Sequence, residues 1–140
     1  GDHRDLHTAY RRQRQMCIRD RLDEANAEIK TITVKELELI INQPGVTIID
    51  VQSKDVISKS GMIPNAIHAN RGFLEFYADQ RENNPFRIKE IDSSKKIIIY
   101  CGAGGQGALA TKTLQDMGFS DVSNLQGGSE AWIKAGNKMV

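Results

Sequence analysis

The stretch Lys95–Leu114, "KKIIIYCGAGGQGALATKTL", decides how this 140-residue chain is read. An apolar strand runs into a glycine-rich loop, and the loop runs into a helix. From Gly102, the letters "GAGGQG" satisfy G-x-G-x-x-G, the spacing of a loop that binds a dinucleotide. From Cys101, the same loop wraps a cysteine at the start of a helix, where a thiolate is stabilised. Only one of the two can be the working chemistry.

The chain downstream of the loop argues against the nucleotide. A dinucleotide fold needs an acidic residue about 20 positions on, at the end of the next strand, to hold the ribose hydroxyls. Here that strand ends at Leu125-Gln126-Gly127-Gly128, and too little chain remains for the further βαβ units of a cofactor crevice. The thiolate reading uses the whole loop. A sulfur at the carboxyl end of a strand, just before a helix, faces backbone N–H groups whose partial charge favours an anion. Gly102, Gly104, Gly105 and Gly107 clear side chains from its approach, so the amides of the loop, Ala103 and Gln106 included, can ring it. The residues alone also allow a plainer alternative, in which Cys101 is the buried last residue of a core strand.

Outward from the loop, strands alternate with helices. Thr33 and Glu36 form a capping box, and Val34, Leu37, Ile40 and Ile41 give one apolar helical face that stops at Pro44-Gly45. "VTIIDV", Val46–Val51, reads as a strand buried on both faces. Next come a short helix ended by Gly61, a turn at Pro64-Asn65 and a short strand around Ala66–His68. "RGFLEFYADQ" reads as a helix, "KIIIYC" as the second strong strand, and Gly105–Met117 as a helix closed by Gly118. "DVSNL" is the last strand, and "SEAWIKAG" a final helix with Trp132 packed inward. The pattern implies an α/β domain with a mostly parallel sheet of about five strands and helices on both faces. Ligands of such sheets bind outside the carboxyl ends of the strands, where Asp50 and Cys101 both fall.

Composition excludes several classes of partner. Residues 31–140 hold 12 Lys/Arg against 12 Asp/Glu, which leaves no field for nucleic acid or anionic lipid. No apolar run nears the roughly 18 residues of a membrane span, and no signal peptide is evident, so the expectation is a soluble, cytoplasmic protein without membrane partners. Two cysteines, Cys17 and Cys101, are too few for a disulfide framework or a cysteine-based zinc site. Residues 1–30 differ from the rest: "HTAYRRQRQMCIRDR" is crowded with arginine and lacks a clean apolar period. They are expected to be a leader, disordered or non-native, ahead of a domain spanning residues 31–140, and Cys17 is given no function.

Several ordered motifs from Thr31 to Val140 together resemble the rhodanese (thiosulfate sulfurtransferase) family in its single-domain form. They are the strand ending Asp50-Val51, the Gly61-x-Ile63-Pro64-x-Ala66 turn, the strand-Cys101-loop-helix unit, and the Leu125-x-Gly127-Gly128-x-x-x-Trp132 ending. The resemblance implies a rhodanese-like fold and a sulfurtransferase in which Cys101 takes sulfane sulfur from a donor anion such as thiosulfate. The sulfur is carried as a persulfide and passed to a thiophilic acceptor, cyanide or a protein thiol. Gly102–Gly107 would form the persulfide and substrate loop; no metal or organic cofactor is implied.

The sequence departs from the family at informative points. The usual loop is a cysteine, four residues, then arginine or lysine; here that position is Gln106, and the arginine that often comes after the Asp-Val pair is Gln52. Both changes remove a cation, and charge-assisted bonds are worth roughly twice neutral ones, so donor-anion binding is expected to be weaker. Arg71, after the third strand, is a candidate supplier of charge, and Asp50 a candidate for ordering the loop. A carrier or non-catalytic module that binds a partner protein stands as the alternative. A cysteine phosphatase would need arginine at position 107, which is glycine. His68, the only histidine of the domain, reads as structural. The residues set no oligomeric state.

Overall fold

The apolar runs "VTIID" and "KIIIY" form the centre of the molecule, lying side by side as the two middle strands of one sheet. The computed structural model describes residues 17–140; residues 1–16, the first part of the expected leader, lie outside the described residues. In chain order the elements are α1 (Ile18–Glu28), β1 (Lys30–Ile32), α2 (Val34–Ile40), β2 (Val46–Asp50), α3 (Lys54–Ser60), β3 (Ala66–His68), a 3₁₀ turn (Arg71–Phe73), α4 (Leu74–Ala78), β4 (Lys96–Tyr100), α5 (Gly105–Asp116), β5 (Val122–Leu125) and α6 (Gly128–Lys134). The strand order is β1-β5-β4-β2-β3, and every pairing is parallel. The α/β class with about five strands is thus observed.

Successive strand residues point to opposite faces, and the isoleucine runs supply both. Ile49, Ile97 and Ile99 pack on one face with Leu74 and Ala78 of α4 and Ala110 and Leu114 of α5. Ile48, Ile98 and Tyr100 pack on the other with Leu37 of α2 and Trp132 of α6. All of these are buried, and each large apolar side chain contributes roughly 1.5–3 kcal/mol by leaving water. A sheet covered on both faces has no use for polar alternation, which is why these strands read as continuous apolar runs.

Local signals hold at several joints. Thr33 Oγ1 accepts the Glu36 N–H at 3.2 Å, while Glu36 takes the Thr33 hydroxyl proton, not the Thr33 backbone N–H of a full capping box. Asn65, at φ 69°, makes the turn before β3. "RGFLEFYADQ" is shorter as a helix than its pattern implies, because its first turn, capped by the Asn70 side chain, is 3₁₀ and the α-helical part ends at Ala78. Within the stretch expected as a leader, α1 and the start of β1 are formed: Ala25 is buried, Lys112 of α5 pairs with Glu28 at 2.7 Å, and Gln115 donates to the Glu28 carbonyl. Over those residues contacts with α5 hold a helix that local composition would leave loose.

Parallel strands all end on one edge. Asp50 is in register with both Tyr100 and His68, so the residues leaving β2, β3 and β4 gather at the carboxyl end of the sheet. Cys101 is the first residue beyond β4.

Candidate functional site

Cys101 is 5% exposed, and its sulfur lies in a cradle of backbone amides. The Gly104 N–H donates to Sγ at 3.1 Å and the Gly107 N–H at 3.2 Å. Gly104 caps α5 at φ 111°, a conformation open to glycine, and this bend lets the amides on both sides of the helix start converge. The twelve-residue α5 adds the positive end of its dipole to the same point.

A second helix fixes the loop from its carbonyl side. The Ser129 N–H donates to the Cys101 carbonyl at 2.8 Å and the Glu130 N–H to the Gly102 carbonyl at 3.0 Å, both from the first turn of α6. With these carbonyls tied to α6, the loop presents amides to the sulfur. Gly128 stands at φ 61°, and a Cβ there would run into the Cys101 and Gly102 carbonyl oxygens. The Gly127-Gly128 pair therefore belongs to the site as much as the loop does.

The other residues singled out from sequence divide between the loop and its surroundings. Ala103 and Gln106 are exposed on the loop, and Gly102 and Gly105 are partly covered. Asp50 is fully buried, accepting from the Gln52 backbone N–H at 2.8 Å and the Gln52 side-chain amide at 3.2 Å. Gln52 in turn leans its Oε1 toward Gly102, which links Asp50 to the loop through Gln52. The Arg71 guanidinium binds Glu75 at 2.9 Å and Thr113 at 3.0 Å, about two turns along α5 from the cradle. His68 Nε2 lies 2.8 Å from the Gln52 carbonyl and must donate to it, because a carbonyl only accepts. The Tyr100 hydroxyl accepts the Ile63 N–H at 3.0 Å. Burial, with the Asp50 carboxylate adding to it, pushes that phenol well above its usual range, so it stays protonated. Cys17 is exposed, its thiol donating to Asp20 at 3.1 Å.

Three contributors were not legible from sequence. The Ser129 and Glu130 amides had only the glycine pair ahead of them as a signal. Asn124 of β5, the last strand, donates its side-chain amide to the Gly104 carbonyl at 3.1 Å. Leu22 of α1 packs toward Gly105, and with Asn26, Thr31, Asn124 and Gln126 it walls a cleft of about 400 Å³ beside Ala103–Gly105. A hollow of about 640 Å³ along α2 and β1 contains none of the loop residues. Among the described residues, no helix is long and apolar enough to cross a membrane.

Comparison with known proteins adds a family. Residues 33–135 match the family model of the rhodanese-like domain. A sulfurtransferase of Allochromatium vinosum is 30% identical over 95 residues, covering 68% of this chain and 78% of that protein. A thiosulfate sulfurtransferase of Pseudomonas syringae is 28% identical, covering 75% of this chain and 88% of that one. Among solved structures, a Rhodopseudomonas palustris protein described as of unknown function and a possible tyrosine phosphatase superposes with a TM-score of 0.82 at 34% identity, over 90% of this chain and 96% of that chain. That cover is more than residues 31–140 alone could supply. A human single-domain sulfurtransferase shares the fold, with a TM-score of 0.65 at 22% identity over 74% of this chain and 95% of that chain.

Proposed function

The chain belongs to the rhodanese-like domain family, and from that premise we propose that it is a sulfurtransferase working through a persulfide on Cys101. The observation that carries the reading is the pair of amides on the sulfur, at 3.1 and 3.2 Å, which stabilise negative charge there without a metal. The Cys101 thiolate attacks the outer sulfur of thiosulfate; a new S–S bond forms, the old one breaks, and sulfite leaves with the electron pair. The terminal persulfide sulfur carries the negative charge against the same amides. Cyanide or a thiolate then attacks that sulfur, leaving as thiocyanate or a new persulfide, and the Cys101 thiolate returns. Intact mass after mixing with thiosulfate tests the reading: a gain of one sulfur, removed by cyanide, is expected, and an unchanged mass would overturn it.

The carrier reading is favoured by the missing cations. Gln52 and Gln106 stand where the family often has positive charge, and none of the described residues lining the cleft beside the loop is charged. Phosphate-ester hydrolysis is weaker. Position 107, where a cysteine phosphatase places its arginine, is glycine, and Asn124 Oδ1 stands where a side chain would begin.

Restoring charge separates enzyme from carrier. Gln106 is exposed on the first turn of α5, so in Gln106→Arg a contact to the donor sulfonate, discounted for solvent screening, is worth about 1 kcal/mol, or roughly fivefold in transfer from thiosulfate. The gain should shrink as salt is raised, because an exposed charge is screened over about 8–10 Å. Steady-state rates of both proteins at two salt concentrations measure it. A rate left unchanged by arginine would favour a site served by a partner that brings its own charge.

A further inference from the structure

Asn124 is 4% exposed, and its two side-chain atoms meet the two halves of the sulfur cradle. Nδ2 donates to the Gly104 carbonyl, which also accepts the Ala108 N–H, the first bond of α5, at 3.0 Å. Oδ1 is buried with no hydrogen-bond partner among the described residues and lies against where a Cβ on residue 107 would sit. Gly104 and Gly107 are the residues whose amides donate to Cys101 Sγ. A buried acceptor left without a partner is costly and calls for a reason. The reason is geometric: turning Nδ2 toward Gly104 forces Oδ1 toward position 107, and only a hydrogen there leaves room.

We propose that Asn124 is the positioning residue of the cradle and forms a matched pair with Gly107, its amide filling the volume of the absent side chain while holding the Gly104 carbonyl and so fixing the backbone torsion that aims the Gly104 N–H at the sulfur. The inference rests on the reading of Cys101 as the sulfur-carrying nucleophile, but it concerns how that sulfur is held. It is separable from transfer, because alkylation reports on Cys101 whether or not sulfane sulfur is ever carried.

The test uses the full chain with Cys17→Ser, so that Cys101 is the only thiol. Iodoacetamide alkylation at fixed pH, thiolate ultraviolet absorbance and thermal midpoint are read for each variant. Asn124→Leu keeps the side chain's shape, removes the orphaned oxygen and leaves the Gly104 carbonyl its Ala108 partner. It should be no less stable, yet alkylate about tenfold more slowly with less thiolate absorbance. A purely structural asparagine would not uncouple stability from reactivity in that way. Gly107→Ser alone should also slow alkylation, by driving Asn124 off Gly104. Combined with Asn124→Ala, the serine takes the vacated volume, and the pair should react at least as fast as the better single variant. Unchanged alkylation in Asn124→Leu, multiplying losses in the pair, or loss of fold in both Asn124 variants would overturn the proposal. Asn124-dependent alkylation with no sulfur uptake by any variant would overturn the sulfurtransferase reading and support the positioning role.

Discussion

Cys101→Ser should gain no sulfur when mixed with thiosulfate, whereas Cys17→Ser should gain one sulfur as the unaltered protein does. The difference arises from what surrounds each sulfur. Cys101 Sγ accepts two backbone amides at the start of α5, and the Cys101 and Gly102 carbonyls of the same loop are bonded to α6. The serine hydroxyl is not ionised at neutral pH and has no base beside it among the described residues, so the amides gain nothing to stabilise and the attack does not start. Cys17 is exposed ahead of α1 and faces the Asp20 carboxylate at 3.1 Å, with no ring of amides around it among the described residues. Intact mass before and after cyanide reads both variants. Cyanide-labile sulfur on Cys101→Ser would move the site elsewhere.

Gly128→Ala should be the most damaging small substitution outside the loop itself. Residue 128 stands at φ 61°, where an L side chain costs about 1–2 kcal/mol, and the new Cβ would collide with the carbonyl oxygens of Cys101 and Gly102. Those oxygens are backbone, fixed by the Ser129 and Glu130 amides, so relief requires giving up both bonds at about 1 kcal/mol each. The sum is about 3 kcal/mol, a fall of roughly 10 °C in thermal midpoint for a domain of this size. Sulfur uptake measured below the midpoint should fall at least about tenfold, since carbonyls that turn away from α6 carry the Gly104 and Gly107 amides off the sulfur. Gly136→Ala is the control: φ there is 92°, but among the described residues nothing lies within 4 Å of the added Cβ. It should bear the backbone strain alone and keep full uptake. A Gly128→Ala protein that melts no lower than the control and takes up sulfur normally would remove α6 from the site.

The features that no local pattern announced share a cause. β1 is three residues long with two of them exposed, too short for any period to show, and exists because Lys30–Ile32 can pair with β5. α1 buries only Ala25 and gained no apolar stripe from its sequence; its order comes from α5. Arg71 carried the right charge at the right edge of the sheet, but Glu75 one turn on and Thr113 on the neighbouring helix take its guanidinium. Asn124 sits in a short strand, and nothing within its own segment says that its amide reaches a carbonyl twenty residues earlier.

By itself the sequence determined the parallel sheet and the address of the sulfur. Apolar runs too continuous for a half-exposed strand must be buried on both faces, and parallel strands deliver their last residues to one edge, so Cys101 had to lie there ahead of a helix start. The tertiary structure alone decided what meets that sulfur and what holds the donors still. Gly128 against Cys101, Ser129 on its carbonyl and Asn124 between Gly104 and Gly107 are contacts between residues far apart in the chain. Propensity and periodicity act over a few residues, whereas such contacts exist only after the sheet has brought β4, β5 and α6 together.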